Sequence, residues 1–168
     1  MKILTQILLL ISTILAVTLT AKAQDSVVIQ PITIKGTSIS IIPPKHFEYD
    51  SISGRILHEG SMSSIQVNEI KKRNYKKITS AMTEKYMQSQ GMELLDKQET
   101  SMLDGNEAIV FRCRFKSHDA KGRELFFIRL MFFTGTENTI WATADFPECI
   151  AKQIEAPITN SIKAITQN

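Results

Sequence analysis

Residues 124–134 read ELFFIRLMFFT, and from Leu125 to Phe133 eight of nine positions are apolar. A strand covered on one face alternates apolar with polar, whereas a near-continuous apolar run needs cover on both. This segment is therefore expected to be the central strand of a sheet lying between helical layers. Its neighbours fit that reading. Met92 to Thr100, Asn106 to Lys116 and Asn138 to Phe146 are further strand-like runs. The connections between them are short: Asp104-Gly105-Asn106, then Asp119 to Gly122, then Gly135 to Asn138. Asp-Gly is a strong hairpin signal because it tolerates the positive φ of primed turns. Four consecutive strands with tight turns predict an antiparallel meander.

Upstream, Thr37 to Ile42 alternates and stops at Pro43-Pro44, and Ile52 to Glu59 and Met62 to Asn68 are two short strands around Gly60. Tyr75, Ile78, Met82 and Tyr86 then fall at helical spacing, with Gly91 placed to end one helix. Downstream, Pro147 closes the sheet. Ile150, Ile154, Ile158, Ile162 and Ile165 mark a C-terminal helical stripe, which Pro157 is expected to kink or split.

The N-terminus carries a different signal. Lys2 precedes an apolar run from Ile3 to Leu19, and Ala21-Lys22-Ala23 offers small residues at both cleavage positions. That layout predicts a secretory signal peptide over 1–23, cut before Gln24, and an exported product, periplasmic or secreted. The run is short and too interrupted by Thr and Gln for a membrane span, so no transmembrane segment is expected after cleavage. Residues 24–36 form an extended N-terminal segment and 37–168 a single α/β domain. Of 20 Lys+Arg and 17 Asp+Glu, Lys2 and Lys22 leave with the leader, so 18 cations face 17 anions. That balance argues against nucleic acid held by bulk charge.

Placing the hairpin turns gives a provisional register. One face collects Leu94, Phe115, Phe126 and Phe146 with Phe111, Cys113, Ile128, Leu130 and Ala142. The other carries Lys97, Arg112, Arg129 and Thr143 in one cross-strand row, with Trp141, Met131 and Val110 nearby. Like charges directly opposed on a sheet cost up to about 1 kcal/mol per pair. Lys97, Arg112, Arg129 and Trp141 are thus a candidate site for a small anionic or amphipathic ligand. Neutralisation by Asp145, Glu99 or Asp96, or plain solvent exposure, is the simpler explanation of the row.

A second cluster, Lys71, Lys72, Arg73, Lys76 and Lys77, sits before and within the start of the helix, where cations oppose the helix dipole. An acidic partner would relieve that conflict, and a solvated face would tolerate it. Cys113 and Cys149 could be bridged in an oxidising compartment or stay two separate thiols. His46, His58 and His118 are scattered with no metal-ligand spacing, so no metal site is expected. Nucleophile elbows and Gly-rich phosphate loops are missing, so no catalytic residues and no cofactor are assigned.

The order of elements resembles that of PsbP-like domains, the fold shared by the PsbP subunit of photosystem II and the yeast Mog Ran-binding proteins. Ser38 to Pro43 followed by Phe47 resembles the opening strand, proline and aromatic of that class. The helix ending at Gly91, the Asp104-Gly105-Asn106-Glu107-Ala108 hairpin, the long strand Glu124 to Phe133, Ala144-Asp145-Phe146-Pro147 and the final Ser161-Ile162-Lys163 are similar as well. The resemblance implies an α/β/α sandwich around an antiparallel meander. It also implies a non-enzymatic role, the binding of a protein or envelope component, as in an exported bacterial branch of the class.

Overall fold

The computed structural model describes residues 30–167 apart from residue 120. The leader expected over 1–23 and the start of the 24–36 segment lie outside the described residues. Ten strands are present among the described residues. β1 (Ile32–Thr33), β2 (Ile39–Ile41) and β10 (Thr166–Gln167) form a small sheet in the order β1-β2-β10. β3 (Glu48–Asp50), β4 (Arg55–His58), β5 (Ser63–Ile70), β6 (Met92–Ser101), β7 (Glu107–His118), β8 (Glu124–Thr134) and β9 (Thr139–Pro147) form a large one. Its order is β3-β4-β5-β9-β8-β7-β6, with every pair antiparallel. The meander β6 to β9 is as expected, and β5 closes on β9 to complete the sheet.

Both faces of β8 are covered. On one face Ile56, Ile65, Ala144 and Leu130 lie in one cross-strand row under helix α3 (Ala151–Lys163). The helix contributes Ile158 and Ile162, which are fully buried. On the other face Phe111, Cys113, Met131 and Phe133 pack under Tyr75 and Met87. The fold class is an α/β sandwich around an antiparallel sheet.

Three local expectations are corrected. The predicted helix from Tyr75 towards Gly91 is two: α1 (Tyr75–Thr79), capped by the Asn74 side chain, and α2 (Glu84–Ser89), capped by Thr83. Thr83 accepts from the Tyr86 amide, and a residue that caps a new helix cannot continue an old one. Pro157 does not split α3, which runs through it. Pro157 is on the exposed side, so the carbonyl that loses its amide partner can turn to water.

The third correction moves the candidate site. The β7–β8 turn is a five-residue loop in which His118 pairs with Glu124. The Asp119 carboxylate accepts from the amides of Lys121 and Arg123 and holds the Arg123 side chain, closing a longer loop than Asp119 to Gly122 alone. One extra residue flips β7 relative to β8. Arg112 faces Leu130 and Arg129 faces Cys113, so the two guanidiniums lie on opposite faces of the sheet.

Candidate functional site

The cross-strand row Lys97–Arg112–Arg129 therefore does not exist. Arg112, under α3, is held by Glu155 at 3.1 to 3.3 Å through Nε and Nη2. With Asp96, Thr159 and Lys163 they line a cleft of about 210 Å3 between α3 and the β6–β7 edge. Lys163 Nζ donates to Thr100 Oγ1 at 2.8 Å across the same cleft.

Arg129, on the other face, holds both Asp145 oxygens at 2.7 Å and lies 4.9 Å above the Phe115 ring. The Asp145 hydrogen bonds raise the guanidinium pKa still further above its ordinary value. Trp141 stacks on Phe133 at 5.5 Å, and its buried indole N–H has no partner among the described residues. Both arginine forks are thus filled by the protein's own carboxylates. Asp145 was one neutraliser expected from sequence. Glu155 was not, because strand patterning does not say which turn of a distant helix overlies Arg112.

Lys97 and Lys76, expected in separate sites, line one groove of about 570 Å3 between α1 and β6. Lys76 Nζ contacts Glu107 at 2.7 Å, and the Tyr75 hydroxyl donates to the same carboxylate at 3.4 Å. The Lys76 hydrogen bond holds the Glu107 carboxyl below its usual range, while burial pushes the Tyr75 phenol up. Lys97 Nζ sits 5.4 Å above the Phe111 ring.

Of the rest of the basic cluster, Lys71, Lys72 and Arg73 form the turn between β5 and α1, and Lys77 lies in α1. Lys71, Lys72, Arg73 and Lys77 are exposed, and none has a carboxylate within ion-pair distance among the described residues. The turn is built, not loose. Lys72 adopts φ 56°, its amide donates to Asn138 Oδ1 at 2.9 Å, and the Arg73 carbonyl accepts from Thr139 Oγ1 at 2.7 Å. Those contacts tie the turn, with its three cations, to Asn138 and the start of β9.

Cys113 and Cys149 are free thiols, the first buried and the second exposed. Burial lifts the Cys113 thiol to about 11. His58 Nδ1 lies 2.6 Å from Ser61 Oγ, which also bonds Ser63 Oγ at 2.8 Å, closing the turn before β5. Among the described residues no three His, Cys, Asp or Glu side chains converge to hold a metal ion. No helix among them is long and apolar enough to cross a membrane.

No protein family matches the sequence, and no curated protein does either. Solved structures do match. The chain is similar to cyanobacterial PsbP (CyanoP) from Synechocystis sp. PCC 6803, with TM-score 0.54 and 12% identity over 83% of this chain and 92% of that one. A protein of unknown function from Pseudomonas aeruginosa aligns with TM-score 0.48 and 11% identity over 63% of this chain and 73% of that one. The fold is PsbP-like.

Proposed function

We propose that the chain is a non-catalytic, exported binding domain that contacts a protein or envelope component through the cationic turn at 71–77. One observation carries this reading: Lys71, Lys72 and Arg73 share a turn braced against β9, Lys77 follows in the first turn of α1, and none of the four has a carboxylate within ion-pair distance among the described residues. Placing them together sets up a repulsive local field that an acidic surface would relieve. The reading of a small anion held between Arg112 and Arg129 loses its support, because those residues occupy opposite faces and each is already paired.

The test is crosslinking in the producing cell, with a photoreactive residue at position 72 and a control at exposed Lys121 on the far loop. A discrete adduct at 72 that disappears when Lys71→Glu, Arg73→Glu and Lys77→Glu are added supports the proposal. Equal adducts from 72 and 121, or an adduct unaffected by charge reversal, sinks it.

A further inference from the structure

The large sheet has two edges of very different character. β3 offers three residues, whereas β6 offers ten and pairs only with β7. Met102 N–H bonds the Asn106 carbonyl, which fixes the phase of the β6–β7 ladder. The even-numbered residues of its straight half bond to β7, and the backbone groups of Lys97, Glu99 and Ser101 point away from it. The Lys97 amide has taken the Asp96 carboxylate at 2.8 Å as a substitute acceptor. Lys97, Glu99 and Ser101 line the groove beside α1, and Asp96, Gln98 and Thr100 line the cleft beside α3.

Charge decides what fits there. Lys97 and Glu99 stand on the same face, are exposed, and have no ion-pair partner among the described residues. Two copies of β6 can meet antiparallel about a two-fold axis only with one residue opposite itself. Centring on Asp96, Lys97 or Glu99 opposes like charges, which disfavours pairing. Centring on Gln98 sets Lys97 of each copy against Glu99 of the other, twice, with the two Gln98 amides meeting on the opposite face. In that register Lys97 and Glu99 are the hydrogen-bonded pair, because their backbone groups are the outward ones.

From this complementarity we infer that a second copy of the chain pairs along the free edge of β6, in the register centred on Gln98, and joins two sheets into one. A short strand contact of this kind makes a weak, concentration-dependent dimer rather than an obligate one. The inference is independent of the cationic turn.

Sedimentation velocity across a concentration series tests it, using protein purified from cells expressing the full chain. The expected result is a monomer–dimer equilibrium with a dissociation constant below about 1 mM. Glu99→Pro removes an outward amide without touching the β7 ladder and should leave a folded monomer. Lys97→Glu should weaken the dimer at least tenfold, and Lys97→Glu with Glu99→Lys should restore it. A wild-type protein still monomeric at about 1 mM overturns the inference. So does a dimer indifferent to Lys97→Glu, or a double variant that fails to recover. The charge swap decides the matter even where the proline variant does not fold.

Discussion

Replacing Asp145 by alanine should destabilise the domain by about 2 kcal/mol. The carboxylate accepts two charge-assisted bonds of 2.7 Å from Arg129, and the two side chains are 23% and 32% exposed. A fully exposed pair contributes about 1 kcal/mol or less, and breaking a fully buried one costs about 3–5 kcal/mol. The partial exposure here places the loss between them, because water reaches only one side of the stranded guanidinium, which also rests on Phe115. For a domain of this size that loss lowers Tm by roughly 6–8 °C. Urea unfolding monitored through Trp141, the chain's single tryptophan, gives the value directly, since its stacking on Phe133 is lost on unfolding. Arg129→Met with Asp145→Leu should recover most of the loss, because an apolar pair of similar volume carries no desolvation penalty. A single-variant cost under about 0.5 kcal/mol refutes the view of this pair as a structural clasp. A double variant as unstable as the single one refutes it equally.

Other outcomes follow from separate parts of the molecule. Gly135→Ala should cost about 2 kcal/mol or more, because φ is 94° and the new Cβ would lie 2.1 Å from the Asn138 carbonyl oxygen; Gly105→Ala, at φ 86° with open space, should cost about 1 kcal/mol by chemical denaturation. A thiol reagent at pH 8 should label one cysteine per native chain, Cys149, and two after denaturation, since Cys113 is buried and protonated there. The raised Cys113 pKa stabilises the fold fully below the unfolded thiol value of about 8.5, and this contribution is lost as pH rises towards about 11. The stability of wild type should fall more steeply than that of Cys113→Ala between those limits. Pro157→Ala should raise stability by about 1 kcal/mol in the same assay, restoring an α3 hydrogen bond at an exposed position.

The sheet was legible because its signals are local. Leu125 to Phe133 carries its two-sided burial in its own composition, and Asp104-Gly105 carries its turn. The candidate site was not, because it depended on counting residues in two loops; the β6–β7 loop runs between Ser101 and Glu107 and sets Lys97 against Phe111, not Arg112. The Asp119 carboxylate closes five residues where four were counted, and every β7 side chain changes face. Cys113 and Phe111 moved beneath Tyr75 and Met87, and Arg112 moved beneath Glu155. Periodicity assigns residues to a face, but only the loop says which face of the next strand it meets. The break between α1 and α2 had a readable marker in Thr83, overridden by the helical spacing of Tyr75, Ile78, Met82 and Tyr86. The turn at 71–77 is cationic in any conformation, and its bracing by Asn138 and Thr139 is visible only once β5 and β9 are adjacent.

That adjacency has a kinetic consequence. β5 and β9 pair Ser64 with Asp145 and Ile70 with Thr139, so the closing contacts span some seventy to eighty residues of chain. The meander from β6 to β9 needs only short loop closures and should assemble first, with the β4–β5 hairpin waiting for a seat. Until residue 145 arrives, Ile65 and Val67 have no core to enter. On a chain emerging from its N-terminus, those apolar residues stay available to chaperones and to misdocking longest. Substitutions in the β6–β7 hairpin should therefore slow folding, while those at the late-closing β5–β9 seam should mainly speed unfolding.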